Sequence, residues 1–238
     1  MAEIFSRFTF PDYVYHGTVR EYLNGYKDKL INKENLQHSF NKDFGTGLYT
    51  TIDFQQAADW ARKLSNDLAL SDNFFGDDTP LVIVIKVEPD NYDGVVDVMD
   101  FRGESSAWSN FILKHRFKSS LDFDPCGDIH PQVVSGSMAD NDTGEVIKTF
   151  RTNGYRIDFV HDQLWFQNQI VYKQKHKRVL AGLELGDQIA FFDERLNDML
   201  KLVGYCTGND DNNTNNLEDT YWKGWMYHVY NGKSESVR

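Results

Sequence analysis

The run PLVIVIKV at residues 80–87 decides how this chain folds. Lys86 is its only charged residue. Leucine, valine and isoleucine follow one another without the apolar and polar alternation of a half-exposed strand, which is typical of a strand buried on both faces. The run therefore predicts a central strand that anchors the hydrophobic core.

Two amphipathic segments flank this strand in the sequence. Apolar residues recur at helical spacing from residue 54 to residue 70, and again around Trp108 and Ile112 in residues 107–117, which predicts two helices. Because no strand–helix unit repeats, the pattern predicts an α+β fold. The other predicted elements are strands at 12–15, 48–50, 95–98, 129–134, 164–172 and 179–183, a small helix at 145–151, and a helix at 187–203 that stops at Gly204.

The composition is that of an ordinary globular protein. With 238 residues, of which 40% are hydrophobic and 26% charged, the chain is long enough for one large domain. We expect that domain at residues 1–208, an acidic, Asn-rich linker at 209–219 and an aromatic tail at 220–238. The tail is too aromatic to stay solvated, so it is expected to dock, either on the same domain or on a partner chain.

Charge and targeting signals restrict the function classes. No apolar stretch reaches the roughly 20 residues that cross a bilayer, and the first residues lack a basic region followed by an apolar core. A cytoplasmic protein without a membrane partner is therefore expected. The net charge of -11 opposes non-specific attraction to nucleic acid, although the basic run at 173–178 fits either a solvated strand end or a local polyanion contact. Cys126 and Cys206 lack the spacing of metal or redox motifs, so both are expected to be free thiols. No metal site is expected.

Three short motifs lie beside predicted strands: YHGT at 15–18, DFGTGLYTT at 43–51 and NQIVY at 168–172. In the first, Gly17 leaves room for a flat ligand to approach the backbone, and its amide and carbonyl can bond a carboxamide edge. His16 beside it can hydrogen-bond a ribose hydroxyl. The alternative is that His16 only caps its own loop at the end of the strand.

The second and third motifs supply a ring and an amide. Gly45 and Gly47 bracket a turn, and the ring of Tyr49 can then form one face of a slot for a cationic, planar pyridinium. The alternative is an ordinary turn with a core tyrosine. Gln169 can grip a ribose 2-hydroxyl, since an amide both donates and accepts; alternatively, it is a plain strand glutamine.

In combination, the three motifs resemble the ADP-ribosyltransferase superfamily, in the branch that includes poly(ADP-ribose) polymerases and carries a His-Tyr-Glu triad. The chain looks most similar to a little-characterised bacterial group of that superfamily over residues 13–172, including AADWA at 57–61 and blocks at 108–116 and 128–140. The resemblance implies a split β-sheet core, with two packed antiparallel sheets around an NAD cleft and helices at the periphery.

The resemblance also implies site roles. His16 would bond the adenosine-side ribose, Gly17 the nicotinamide amide, and Tyr49 would stack on the nicotinamide ring. Gln169 would stand where the family has a glutamate. The other implied residues are Thr18 and Gly47 in the NAD pocket, with Arg116 as a phosphate contact and Asp128 and Asp140 as further accessory residues, each with a plain alternative as a surface ion pair or turn cap.

The glutamine limits the chemistry. A carboxylate stabilises a ribose cation and accepts a proton, whereas a neutral amide only orients hydroxyls. Chain elongation is therefore disfavoured, whereas single ADP-ribose transfer and a slower NAD hydrolysis both stay open. The resemblance implies a mono-ADP-ribosyltransferase, a glycosyltransferase that consumes NAD as a substrate and modifies a protein or nucleic acid. It also implies a toxin of a toxin–antitoxin pair or a phage-defence effector, with an antitoxin as inhibitory partner. Two alternatives stay open: a catalytically silent module that binds NAD or ADP-ribose, and a partner-binding protein that uses the tail.

Overall fold

The computed structural model describes residues 8–32, 42–102, 105–118, 126, 129–139, 186–208 and 225–230. Within these ranges the protein has an α+β fold with two four-stranded sheets, which confirms the predicted class. In chain order the elements are β1 (Tyr13–Val19), α1 (Leu23–Asp28), β2 (Leu48–Thr50), α2 (Phe54–Ala69), β3 (Pro80–Val87), β4 (Val98–Asp100), α3 (Ser106–Lys118), β5 (Val133–Ser137), β6 (Asp187–Phe191), β7 (Leu200–Gly208) and β8 (Trp225–Val229), with 3-10 helices at Arg20–Tyr22, Pro89–Asn91 and Glu194–Met199.

The chain divides into two compact units, each made from separated stretches of sequence. Unit 1 comprises residues 1–31, 50–95 and 194–238, and unit 2 comprises residues 32–49 and 96–193. None of the helices in the described ranges is long and apolar enough to cross a membrane.

Unit 1 is built on an antiparallel sheet with the strand order β1-β3-β7-β8. Every residue of β3 except Lys86 is buried, which confirms the predicted central strand. The predicted strand at 12–15 is longer than expected: β1 continues to Val19, so His16 lies in the middle of a strand rather than at its end. β1 forms one edge of this sheet, with β3 as its neighbour.

The helix α2 packs against the unit 1 sheet and confirms the helix predicted at 54–70. Asp53 caps it, because one carboxylate oxygen accepts from the amides of Gln55 at 2.7 Å and Gln56 at 3.3 Å. The buried face of α2 is made mostly of alanine, which lets the helix approach the strands closely. Its buried residues are Phe54, Ala57, Ala58 and Ala61, in one cluster with Val82, Val84 and Cys206.

Unit 2 contains the mixed sheet, with the order β2-β6-β5-β4 and a parallel pair between β4 and β5. The helix predicted at 107–117 is confirmed as α3, whose Trp108 is fully buried and donates through Nε1 to the Ser137 carbonyl at 2.8 Å. The strands predicted at 95–98 and 129–134 begin later than expected, at Val98 and Val133.

The helix predicted at 187–203 is wrong. Residues in this stretch form β6, a 3-10 helix at Glu194–Met199 and β7, and Gly204 pairs with Val84 inside β7 instead of ending a helix. The apolar residues fit a helical spacing, but β6 pairs with β5 and β7 pairs with β3, and these partners override the local pattern.

The tail is described only at residues 225–230. Its strand β8 pairs antiparallel with β7, so this part of the tail docks on its own chain, the first of the two alternatives. The remaining sequence predictions lie outside the described residues, namely the strands at 164–172 and 179–183, the helix at 145–151 and the linker at 209–219.

Candidate functional site

His16 contacts a tyrosine of the following helix. Its Nε2 lies 2.8 Å from the hydroxyl oxygen of Tyr26 on α1. Burial raises the pKa of Tyr26 to about 12, and a hydrogen bond with the side chain of Thr18 opposes that shift only in part. The neutral phenol of Tyr26 therefore contacts both His16 and Thr18 of the first motif. His16 does not merely cap its own loop, because its partner lies ten residues away on another element.

The side-chain face of Gly17 is filled by helix α2. A Cβ atom at this position would lie 2.1 Å from the carbonyl oxygen of Ala57 and 3.0 Å from the amide nitrogen of Ala61. The glycine is thus required by the close approach of a helix to a strand. This packing reason, which the sequence did not reveal, accounts for the glycine without any ligand.

The backbone of Gly17 points in another direction, toward the outer edge of β1. Tyr15, two residues earlier, exchanges both of its backbone hydrogen bonds with Thr51, at 2.8 Å and 2.9 Å, on the side away from β3. Backbone groups in an antiparallel strand alternate in direction from residue to residue. The N–H and C=O of Gly17 therefore point to the same outer edge as those of Tyr15.

Backbone hydrogen bonds at both ends of β1 confirm which residues direct their N–H and C=O groups toward β3. The amide of Val87 donates to the Asp12 carbonyl and the amide of Arg20 donates to the Thr79 carbonyl, each at 2.9 Å, so the even-numbered residues face β3. Gly17 is buried, yet within the described part of the chain no residue hydrogen-bonds to it on the outer edge. Buried backbone polar groups are normally paired, so this edge is a candidate ligand contact.

The second motif forms a closed turn in unit 2. The hydroxyl of Tyr49 accepts from the amide of Phe44 and donates to the carbonyl of Gly45, both at 2.8 Å. Gly45 has a φ of 106°, a left-handed conformation that favours glycine. The expected turn followed by a strand is therefore present.

The ring of Tyr49 belongs to an aromatic cluster. It lies nearly parallel to Phe44 and edge-on to Phe192, with ring centroids 6.3 Å apart in each case. A Cβ atom at Gly47 would come within 2.7 Å of the Phe192 ring, so this glycine too is fixed by packing. These contacts match the core-tyrosine alternative, although the ring stays partly exposed.

Asp43 is a buried hub that sequence reasoning missed. Its carboxylate accepts from Arg116 Nε at 2.6 Å, from Gln188 Nε2 at 2.9 Å and from the Ala139 amide at 3.2 Å. Arg116, expected as a phosphate contact, instead forms an ion pair with Asp43, which was the alternative. The carboxylate links the second motif to α3, to β6 and to Ala139 just after β5. No local signal marks it, because its partners lie 73 to 145 residues away.

The predicted site residues fall in three groups. His16, Gly17 and Thr18 share β1 in unit 1, whereas Gly47 and Tyr49 lie in unit 2. Gln169, Asp128 and Asp140 lie outside the described residues. Tyr26 belongs with the first group. Sequence reasoning missed it, because the segment around α1 has poor periodicity.

Metal-binding and disulfide sites are not found in the described ranges. Cys126 and Cys206 form no disulfide, as expected. No cluster of three His, Cys, Asp or Glu side chains among the described residues has the geometry to hold a metal ion.

Comparison with known proteins identifies a family but no function. No curated protein and no solved structure matches the chain. A family model described as "Protein of unknown function (DUF3990)" matches residues 13–201, which include the first and second motifs and the stretch that carries the third. Because this match covers most of the 238 residues, the chain belongs to the DUF3990 family.

Proposed function

We propose that the protein is an NAD-dependent mono-ADP-ribosyltransferase with the split-sheet fold of that superfamily. The observation that carries the proposal is the outer edge of β1 at Gly17, where a buried N–H and C=O lie side by side next to His16. A primary carboxamide fits such a pair, because its oxygen accepts and its NH2 group donates. Nicotinamide carries this group.

His16 supports the proposal as a positioned donor or acceptor. The Tyr26 hydroxyl lies 2.8 Å from Nε2, which fixes the imidazole ring beside the backbone of Gly17. The phenol of Tyr26 is neutral at physiological pH, since both the ordinary tyrosine pKa of 10.0 and its raised value of about 12 lie well above it.

The proposed reaction asks the protein for positioning and charge stabilisation. The bond between ribose C1 and the nicotinamide nitrogen breaks, and its electron pair leaves with nicotinamide. A nucleophile of a protein or nucleic acid then attacks C1 and gives its proton to solvent. The resemblance assigns ring stacking to Tyr49 and hydroxyl orientation to Gln169, and it counts Thr18 and Gly47 among the residues that contact NAD.

The test is incubation of the protein with NAD labelled in its adenosine half, together with a cell lysate. We expect label in a macromolecular fraction for the wild type and for Lys63→Ala, a control on the exposed face of α2. Labelling should fall at least roughly a hundredfold in His16→Ala, as expected for a positioning group. Equal labelling by wild type and His16→Ala, or no labelling by either, contradicts the proposal.

A second experiment, with one further variant, separates transfer from binding alone. Calorimetry with NAD and detection of free nicotinamide distinguish the transferase from a silent NAD-binding module, which the neutral amide of Gln169 would suit. Turnover that disappears in Gln169→Ala supports the transferase. Binding by the wild type without any nicotinamide release supports the silent module.

A separate experiment in cells identifies the acceptor. Separating RNA, DNA and protein from cells that express the chain shows which fraction gains ADP-ribose. We propose that a cytoplasmic toxin or phage-defence effector of this kind has an inhibitory partner; that partner should co-purify and block NAD binding.

A further inference from the structure

The thiol of Cys126 contacts two side chains near the end of α3. Its Sγ lies 3.6 Å from the Nζ of Lys114 and 3.6 Å from the Nε2 of His115, both within hydrogen-bond distance for sulfur. Cys126 itself is partly exposed. A thiol, an imidazole and an ammonium group therefore meet at one partly exposed position in unit 2.

The imidazole of His115 is oriented by its own helix. Its Nδ1 lies 2.8 Å from the carbonyl oxygen of Phe111, one turn earlier. Because a carbonyl oxygen only accepts, Nδ1 carries a proton, and in the neutral ring Nε2 is left as an acceptor on the side of the sulfur. The residue is fully buried, and its ring packs on Phe111 at a centroid distance of 4.2 Å and on His130 at 5.1 Å. His115 thus presents a fixed proton acceptor to Cys126.

Lys114 brings a positive charge to the same sulfur. An ammonium group beside a cysteine favours the thiolate, which is the nucleophilic form of the side chain. Lys114 is exposed, whereas His115 is buried. The charge therefore reaches the thiol from the solvent side and the proton acceptor from the protein side.

The second cysteine of the chain offers an internal comparison. Cys206 lies on β7 and is fully buried, in one cluster with Val82 and Val84 of β3. Burial raises its pKa from 9.0 to about 12, so it stays protonated at physiological pH. Cys126 therefore has the surroundings of a reactive thiol, and Cys206 has those of an inert one.

We propose that Cys126 is a redox-modification site, at which a peroxide oxidises the thiol to a sulfenic acid. His115 accepts the thiol proton at Nε2, and the sulfur attacks one oxygen of hydrogen peroxide, which keeps its hydrogen. As the S–O bond forms, the O–O bond breaks, and the departing oxygen takes the proton from Nε2 and leaves as water. The sulfur loses two electrons and the peroxide gains them. The inference goes beyond the proposed transferase activity and does not require it.

Timed reaction of the full chain with hydrogen peroxide at neutral pH tests the site. A dimedone probe followed by mass spectrometry of peptides reports sulfenic acid separately at Cys126 and at Cys206. We expect label at Cys126 and none at Cys206. Lys114→Ala should slow the labelling of Cys126 on the order of fivefold, the effect of one charge at this distance in a hydrated setting. Lys114→Arg, which keeps the charge, and the control Lys63→Ala on α2 should label at nearly the wild-type rate.

His115→Gln tests the proton acceptor and should also slow the labelling. Because His115 is buried, circular dichroism first checks that this variant folds. If it does not fold, the comparison of Lys114→Ala with Lys114→Arg decides the question, since Lys114 is exposed. Absence of label at Cys126, equal rates in wild type and Lys114→Ala, or equal labelling of Cys126 and Cys206 overturns the proposal. The assay contains no NAD, so its outcome is independent of the transferase activity.

Discussion

Gly17 serves two different contacts on one strand. Its missing side chain makes room for the backbone of α2, while its N–H and C=O point along the sheet edge away from β3. Loss of activity in a Gly17 variant therefore cannot be assigned to the edge contact, because the helix would be displaced as well. His16 is the better probe of the site, since its partner is a side chain.

Gly17→Ala is expected to destabilise the protein by about 3 kcal/mol, because the new Cβ would overlap the Ala57 carbonyl oxygen. Urea unfolding measures the loss. Gly76→Ala is the matched control: its nearest neighbour is the flexible side chain of Glu21, so a cost below about 1 kcal/mol is expected. Equal costs for the two variants would contradict the close approach of α2 to β1.

Two buried acids predict how stability depends on pH. Burial raises the pKa of Cys206 from 9.0 to about 12 and that of Tyr26 from 10.0 to about 12. Between the unfolded and the folded pKa, the unfolded chain releases a proton that the folded protein keeps. The free energy of unfolding should therefore be constant below pH 9 for these groups and fall above it, by up to about 1.4 kcal/mol per pH unit for each group.

Denaturant titrations from pH 8 to pH 11 check this slope. Tyr26→Phe should flatten the decline above pH 10, and Cys206→Ala should flatten its onset near pH 9. A decline that is unchanged in both variants would show that other groups cause it.

At the scale of elements, local sequence patterns correctly predict the helices and strands that keep one burial pattern along their whole length. The helix α2 has one apolar and one polar face throughout, and β3 is apolar from end to end, so both were predicted nearly to the residue. Residues 187–203 contain β6, the 3-10 helix at Glu194–Met199 and the start of β7, and the two strands pair in different sheets. A helical spacing there has no structural meaning, because distant partners decide the conformation.

In the candidate site, too, local motifs predict the position of a residue in the fold but not its distant partners. The motifs placed His16 and Tyr49 beside or within strands, but not the contacts that hold them. The hydroxyl of Tyr26 and the carboxylate of Asp43 act through partners on other elements. Such contacts have no periodicity in the sequence and become visible only in three dimensions.

The ion pair between Asp43 and Arg116 is expected to stabilise unit 2. Arg116→Ala should cost about 3 kcal/mol, the lower end for breaking a buried pair, because the Arg116 side chain is 22% exposed and two N–H donors remain on the carboxylate. A double-mutant cycle with Asp43→Asn in urea measures the coupling. Additive effects of the two substitutions would show that the pair contributes nothing of its own.

At the scale of the whole molecule, both units are made from stretches that are far apart in the sequence. Unit 1 needs residues from the beginning, middle and end of the chain, so much of its sheet depends on long-range pairing. This makes the last strand important, because β8 covers the edge of β7. Beyond the strand pairing, the His228 ring stacks on Tyr205 at 4.6 Å and the Tyr230 amide donates to the Val203 carbonyl at 3.0 Å.

Deletion of residues 225–238 is therefore expected to destabilise the protein by about 3 kcal/mol, since each cross-strand pair contributes up to about 1 kcal/mol. In a chain of this size that corresponds to a drop of roughly 10 °C in Tm. The exposed edge of β7 should also promote self-association, which light scattering detects. Deletion of residues 231–238 alone leaves β8 in place and serves as the control; if both deletions melt at the same temperature, β8 does not stabilise the sheet.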